Sequence, residues 1–306
     1  MNNPDVHALA RKLDRYFVQT PTYIAFYDAL RDAINQRRSD IAAGFVAEHD
    51  GFVLIGASGS GKTTLINRAI TELAAPYRDA HLEIAQVIVP SPATLKELGR
   101  TICKTLGYPV TGVSTAPVIW DLVRFHAKAR GTIMIHLDEA QDIVRSQSEK
   151  EWRSVINTLK SLQQNTDWPI SLTLSGIPEL ADVVNHDAQL ARRLKAFSIP
   201  KLDPITDHAN IQAVIGKYCQ LANVPPDPDV LSPGFIPRLI HAANYDLGRL
   251  TKLTQTALLT AVRNNTPQTL TPNHFTTAYQ TKSNTLPAFN PFTATNYKDI
   301  DTTKLW

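Results

Sequence analysis

Residues 56 to 63 carry the pattern that most directly indicates chemistry. They read Gly-Ala-Ser-Gly-Ser-Gly-Lys-Thr, which matches G-x-x-x-x-G-K-[ST]. Backbone N–H groups of such a loop face phosphate oxygens, and the helix that follows presents its positive end. Lys62 is then expected to reach the β- and γ-phosphates of ATP, and the Thr63 hydroxyl to bind Mg²⁺. The candidate nucleotide-binding residues here are Gly56, Ala57, Ser58, Gly59, Ser60, Gly61, Lys62, Thr63 and Thr64.

Two adjacent carboxylates follow the apolar run at residues 133 to 137. At the end of a buried strand, Asp138 would hold Mg²⁺ through its water shell, and Glu139 would orient and polarise an attacking water. This pair predicts ATP hydrolysis as well as binding. We interpret His136 as a core histidine and Gln141 as a surface or local hydrogen-bonding residue.

Three further positions fit the same site, each with a simpler alternative. Ser175 ends a predicted strand and would sense the γ-phosphate, or it terminates the strand in a plain Ser-Gly turn. Arg192 and Arg193 would project a cation onto the nucleotide of a neighbouring subunit, or they are a solvated pair. Arg249 begins a later helix and would touch the γ-phosphate, or it is a surface charge.

Short apolar runs alternate with helical patterns around these residues, which predicts a parallel sheet with helices on both faces. The predicted strands span residues 51–56, 82–89, 132–137, 170–174 and 197–199. The predicted helices between them span residues 62–74, 94–106, 116–130, 149–164 and 178–191.

The chain divides into four predicted segments. Residues 1–45 form a helical N-terminal segment, 46–203 the nucleotide-binding core and 204–282 a small all-helical lid with helices at 207–222, 229–242 and 246–263. Residues 283–306 are rich in Asn, Thr and Pro, which predicts a flexible tail. Its isolated aromatic residues suit a partner-docking peptide, with disorder without function as the alternative; they are Phe289, Phe292, Tyr297 and Trp306.

Bulk composition excludes several classes of protein. The 306 residues are 43% hydrophobic and 19% charged, which is typical of a globular protein and not of a disordered or fibrous one. The two cysteines have no paired spacing, so we expect neither a disulfide framework nor a structural zinc site. Because no apolar run is long enough to span a bilayer, we expect no membrane association and a cytoplasmic location.

Together these motifs resemble the AAA+ ATPases over residues 45 to 280. Within that superfamily the chain is most similar to the TniB/TnsC transposition regulators. The similarity rests on Arg15-Tyr-Phe-Val-Gln-Thr-Pro21, on the loop that ends at Thr63, on His136-Leu-Asp-Glu-Ala-Gln141, and on Gln189-Leu-Ala-Arg-Arg193 leading into Phe197-Ser-Ile-Pro200. It implies a P-loop AAA+ fold with a central parallel sheet, followed by the helical lid.

The resemblance also implies a function. The chain would form an ATP-dependent homo-oligomer, as a ring or helical filament, that coats double-stranded DNA, recruits a transposase and receives target information from a TniQ-type or other targeting protein.

Residues 91 to 130 hold six cations and two anions. In related ATPases this region lines the inner surface of the assembly, so the candidate DNA contacts are Ser91, Thr94, Lys96 and Arg100. A solvated helical face is the alternative for these residues. The rival functions are a replication initiator or helicase loader, and a nucleotide switch without DNA binding.

Overall fold

The computed structural model describes residues 6–74, 83–145, 148–263, 269–284 and 286–303. Its five strands are β1 (Gly51–Ile55), β2 (Ile84–Ile88), β3 (Met134–Asp138), β4 (Ser171–Gly176) and β5 (Leu194–Ser198). The helices in these ranges are α1 (Val6–Asp14), α2 (Pro21–Ala42), α3 (Lys62–Ala74), α4 (Leu95–Thr105), α5 (Ala116–Arg130), α6 (Asp142–Arg145), α7 (Glu149–Gln163), α8 (Glu179–His186), α9 (Ala188–Ala191), α10 (His208–Ala222), α11 (Ile236–Ala242), α12 (Leu247–Arg263) and α13 (Pro272–Ser283).

The five strands form one parallel sheet in the order β2-β3-β4-β1-β5. Every residue of β3 and β4 is buried, because helices cover both faces of the central strands. The edge strands β2 and β5 carry exposed residues instead. All five predicted strands are present, although the first residue predicted for the second strand, Leu82, lies outside the described residues.

The chain separates into two compact units. The sheet unit comprises Thr20–Ser58 and Lys62–Ile199, and the helical unit comprises Met1–Gln19, Gly59–Gly61 and Pro200–Trp306. The predicted boundary at residues 203/204 therefore differs from this division by four residues. The predicted N-terminal segment is divided between the two units, because Leu13 of α1 is buried in the core of the helical unit while α2 belongs to the sheet unit.

The helical unit has its own apolar core, in which Tyr218, Leu258 and Phe275 are almost completely buried. Phe275 belongs to α13, a helix that the sequence analysis does not predict. The helix begins with Thr271 as N-cap and Pro272 in the first turn, as α2 begins with Thr20 and Pro21.

Two predicted helices are interrupted. The segment 178–191 breaks at Asp187, whose carboxylate accepts hydrogen bonds from the N–H groups of Gln189 and Leu190 and so begins a new short helix, α9. The segment 229–242 becomes a 3-10 turn, Pro228–Leu231, followed by α11. Ser232, Pro233 and Gly234 separate the two, as a local turn sequence does.

The segment 286–303 packs within the helical unit, which differs from the flexible tail predicted from its composition. Arg238 donates to the carbonyl oxygens of Pro291 and Ala294, at 2.8 and 2.7 Å. Phe292 stacks on Phe235, with ring centroids 5.3 Å apart. The composition of the segment does not predict this packing, because the residues that it contacts lie more than fifty positions away in the sequence. Trp306 lies outside the described residues.

We predict that Asn290 is the polar anchor of this segment. Its side chain is fully buried, donates to Thr276 O at 3.0 Å and accepts from the Phe292 N–H at 3.1 Å. Asn290→Ala should lower the free energy of unfolding by about 1–3 kcal/mol, because buried backbone groups lose their partners. Urea denaturation measures this. Phe289→Ala, at an exposed neighbour, is the control and should change it by less than about 0.5 kcal/mol. Equal effects of the two variants would contradict the docking.

Candidate nucleotide-binding site

The glycine-rich loop connects β1 to α3. Gly59 and Gly61 adopt positive φ angles of 81° and 98°, which side chains with a Cβ atom rarely adopt. Lys62 is 6% exposed, and its Nζ donates to the carbonyl oxygens of Gly56 at 2.8 Å and Ala57 at 3.0 Å. The ammonium group thus lies folded over the loop, held by two carbonyl oxygens that a phosphate can replace as acceptors.

Asp138 is the centre of a buried hydrogen-bond network at the carboxyl end of β3. Thr63 Oγ1 donates to Asp138 Oδ2 at 2.8 Å, and Ser175 Oγ donates to Asp138 Oδ1 at 2.6 Å. The backbone N–H of Glu139 donates to the same Oδ1 at 3.0 Å. The network therefore joins Thr63 and Asp138, the two predicted Mg²⁺ ligands, and brings Ser175 to them.

The pKa values in this network follow from burial and hydrogen bonding. Burial opposes ionisation of Asp138, but the hydrogen bonds from Ser175 and Thr63 outweigh it, so the pKa of Asp138 lies below its ordinary value. Burial lowers the pKa of His136 to about 4, so its imidazole is neutral at neutral pH. His136 Nε2 lies 2.8 Å from Ser175 Oγ, and since that hydroxyl donates to Asp138, the imidazole N–H donates to Ser175.

His136 is a buried residue of β3, and its imidazole hydrogen-bonds to Ser175. Besides packing in the core, it makes a polar contact with the serine that donates to Asp138. The uniformly buried pattern of β3 does not reveal this contact, because the partner belongs to another strand.

Glu139 has a positive φ of 56°, uncommon for a residue with a side chain. Its Oε2 accepts a hydrogen bond from Gln141 Nε2 at 2.6 Å. Gln141 is only 2% exposed, so of the two alternatives stated above, the surface position is wrong and the local hydrogen bond is correct. The sequence motif alone places Gln141 near the carboxylate but does not reveal its burial.

The oxygen ligands at this place suit Mg²⁺ with a nucleotide. Mg²⁺ favours hard oxygen ligands and is usually held by one or two protein groups together with phosphates and water. Thr63 and Asp138 supply a hydroxyl and a carboxylate that already contact each other. In the part of the chain that the structure describes, no cluster of three or more His, Cys, Asp or Glu side chains could hold a metal by itself.

The structure distinguishes the two adjacent arginines. Arg193 Nε pairs with Glu48, and its NH1 donates to Gln189 O at 3.0 Å. Arg192 is exposed, and its side chain has no hydrogen bond or ion pair with the described residues, although its backbone N–H donates to Ala188 O at the end of α9. Arg192 is therefore the guanidinium that remains available to another molecule.

Arg249 lies in the first turn of α12, in the helical unit that also includes Gly59 to Gly61. An added Cβ atom at Gly59 would come within 2.8 Å of Arg249 Nε. An added Cβ atom at Gly248 would lie 2.4 Å from the carbonyl oxygen of Gly59. The Gly248-Arg249 pair thus packs tightly on these loop residues, and glycine is required for the approach.

The predicted DNA contacts lie where β2 leads into α4. Thr94 caps α4 by accepting from the Glu97 N–H at 3.2 Å, and Ser91 and Lys96 are exposed. Arg100 donates to Gly112 O at 3.0 Å and lies 3.6 Å from Glu97. Lys96 has no ion pair within the described ranges, so it is the cation of this group most available to a phosphate.

A family model described as Bacterial TniB protein matches residues 16–204. The chain belongs to the TniB family. This match includes the loop, the Asp138 network and the two arginines. No curated protein was found that matches the chain significantly.

Solved structures give the fold of this TniB-family chain. The ORC2 protein of Aeropyrum pernix in ADPNP–ADP complexes has a TM-score of 0.63 and 14% identity, over 89% of this chain and 71% of that one. The ORC1 protein of Aeropyrum pernix in complex with DNA has a TM-score of 0.64 and 17% identity, over 90% and 69%. Cdc6p from Pyrobaculum aerophilum has a TM-score of 0.58 and 15% identity, over 88% of this chain and 69% of that one. The predicted AAA+ fold is confirmed.

None of the helices in the described ranges is both long and apolar enough to cross a membrane.

We predict that Lys62→Ala weakens ATP binding by roughly tenfold to a hundredfold, as expected for one charged hydrogen bond to a phosphate. Fluorescence anisotropy with a labelled ATP analogue measures the dissociation constant. Lys150→Ala is the matched control, because Lys150 is an exposed lysine of the same unit on α7. Unchanged affinity in Lys62→Ala would remove the loop from the binding site.

Proposed function

We propose that the chain is an ATPase that regulates DNA transposition. It binds ATP with Mg²⁺, assembles with ATP into a ring or helical filament on double-stranded DNA, links a TniQ-like or other targeting protein to the transposase, and disassembles when ATP is hydrolysed. The contact between Thr63 and Asp138 carries the enzymatic part of this proposal, because it unites the two Mg²⁺ ligands beside Lys62. Membership of the TniB family supports the transposition part.

Each residue of the site has a proposed role in hydrolysis. Lys62 neutralises the β- and γ-phosphates, and the bound Mg²⁺ would supply charge stabilisation of the phosphoryl oxygens. Glu139 orients the attacking water. Ser175 donates a hydrogen bond to Asp138 and contacts the γ-phosphate from the end of β4. Arg249 contacts the same phosphate. Most of the rate enhancement then comes from positioning and electrostatics, as is usual for phosphoryl transfer.

The proposed assembly depends on a composite site in which Arg192 of one copy reaches the nucleotide of the next. Its exposure and the lack of side-chain partners among the described residues support this role, whereas Arg193 is engaged with Glu48. A guanidinium placed at the γ-phosphate stabilises the transition state and makes ATP part of the subunit contact. Nucleotide state then controls whether neighbouring copies stay together.

Arg192→Ala should prevent ATP-dependent assembly and lower the turnover number by about a thousandfold, the lower end of the range for such arginines. Arg193→Ala is the control and should retain both properties. Negative-stain microscopy with ATP, with and without duplex DNA, and a phosphate-release assay measure the two effects. If parental protein stays a single copy with ATP and DNA, the composite site is wrong, and if only Arg193→Ala fails, the assignment is reversed.

DNA binding is proposed to follow the phosphate backbone without reading sequence. The surface formed by Ser91, Thr94, Lys96 and Arg100 supports this, because hydroxyl, amide and cationic groups are the usual partners of phosphate oxygens. Lys96 is the principal contact, since Arg100 is shared with Gly112 and Glu97.

The double variant Lys96→Ala, Arg100→Ala should reduce the slope of log K against log salt for duplex DNA by about one per lost phosphate contact. Lys96→Ala alone should give most of that change. The matched control Lys150→Ala, Arg153→Ala removes the same two charges from α7. A slope that stays parental in the double variant, or falls equally in the control, would exclude this surface.

A replication initiator or helicase loader is the second candidate, because the ORC and Cdc6 structures share the fold. The identities of 14 to 17% limit this observation to the fold. DNA-coated helical filaments in the microscopy would favour the transposition regulator. Discrete rings that capture a helicase would favour the loader, and single copies would favour a nucleotide switch.

A further inference from the structure

Gln141 lies between the carboxylate of Glu139 and the end of β4. It is almost completely buried, and both ends of its amide group are engaged. Nε2 donates to Glu139 Oε2 at 2.6 Å, and Oε1 accepts from the backbone N–H of Ile177 at 3.3 Å. One side chain therefore connects the predicted water-orienting residue to the strand that carries Ser175.

The orientation of this amide follows from its partners. The backbone N–H of Ile177 can only donate, so the atom of Gln141 that faces it must be the oxygen. The NH₂ group then faces Glu139 Oε2, which accepts its hydrogen bond. A flipped amide would place two donors together and two acceptors together. Only one arrangement satisfies both neighbours, and it gives Glu139 a charge-assisted hydrogen bond.

The amide of Gln141 packs against Gly176 at the end of β4. A Cβ atom added at Gly176 would lie 2.3 Å from Gln141 Oε1 and 3.0 Å from a methyl carbon of Leu180. The absent side chain at Gly176 thus creates the space that Gln141 occupies. On its other side, Glu139 has its backbone fixed at a positive φ, and its carboxylate is tied by Gln141.

We propose that Gln141 is a positioning residue for ATP hydrolysis, which aims the Glu139 carboxylate by holding Oε2 and leaving Oε1 to accept a hydrogen bond from the attacking water. This inference rests on the proposed hydrolytic function of Glu139. Because the same amide is tied to the N–H that follows Gly176, the position of the carboxylate depends on the position of the strand end next to Ser175. Gln141 acts only through Glu139 and contacts no nucleotide.

The test compares Gln141→Leu with Gln163→Leu by measuring the turnover number and the dissociation constant for ATP. Gln163 is equally buried, but its amide atoms have no hydrogen-bond partner among the described residues, so this control makes the same substitution without breaking a bond. Gln141→Leu should lower the turnover number roughly tenfold to a hundredfold, as a misplaced catalytic group does, while ATP affinity changes less than about twofold. Gln163→Leu should change neither.

Gly176→Ala tests the same arrangement without touching Gln141. The added methyl group should displace the amide and lower the turnover number as Gln141→Leu does. In the double variant Gln141→Ala, Gly176→Ala the methyl group no longer meets the amide oxygen, so the turnover number should equal that of Gln141→Ala alone. Gly176→Ala keeps the proposal testable if Gln141→Leu does not fold. Thermal unfolding shows whether Gln141→Leu is folded.

Several results would overturn the proposal. A parental turnover number in Gln141→Leu would show that Gln141 has no role in hydrolysis. A turnover number above the parental value would show that Gln141 restrains Glu139. A loss of ATP affinity equal to the loss of turnover would show that the role of Gln141 is structural. Glu139→Gln separates this failure from that of the proposed function. If Glu139→Gln hydrolyses ATP at the parental rate, the carboxylate has no role in hydrolysis. If it is inactive while Gln141→Leu is parental, only the role of Gln141 is wrong.

Discussion

The buried carboxylate of Asp138 is the constraint on which the site depends. An ionised group removed from water is costly unless hydrogen bonds replace its hydration. Here donors come from Thr63 on α3, Ser175 on β4 and the backbone of Glu139. These donors belong to three different segments, so the carboxylate is stabilised only if the segments converge. The same convergence places a hydroxyl, a carboxylate and a lysine around one point, which is what a magnesium-bound triphosphate requires.

Strand register makes this convergence possible. β3 pairs with β4 so that Leu137 lies opposite Leu174, and Asp138 and Ser175 are the next residues on each strand. β1 pairs with β4 so that Leu54 lies opposite Ser175. A shift of one residue would turn the serine hydroxyl to the other face of the sheet. The apolar pairs Ile135–Leu172 and Leu137–Leu174 lie on one face of β3 and β4 and specify the register. The opposite face carries the polar residues that end at Asp138 and Ser175.

Much of this could be predicted from sequence because it is encoded locally. The loop motif, the strand before it and the Asp138-Glu139 pair lie in short windows, and their types are those that the chemistry requires. What could not be predicted depends on distant partners. Glu48 distinguishes Arg193 from Arg192, although 145 positions separate it from Arg193. Gly176 and Ile177 give Gln141 its place, and Arg238 and Thr276 hold a segment whose composition alone indicates disorder.

The position of Arg192 follows from the way its neighbours are held. Lys160 Nζ lies 2.6 Å from Asp187 Oδ2, and Asp187 in turn caps the short helix α9 that ends at Ala191. Immediately afterwards Arg193 is fixed by Glu48 at the entrance to β5. Arg192 therefore lies between two anchored residues. Because its backbone is restrained on both sides, ordering its side chain on the phosphate of a neighbouring copy, as proposed above, would lose less entropy than ordering a side chain on a mobile loop. For an arginine that acts on another subunit, such restraint strengthens the contact between subunits without adding a new interaction.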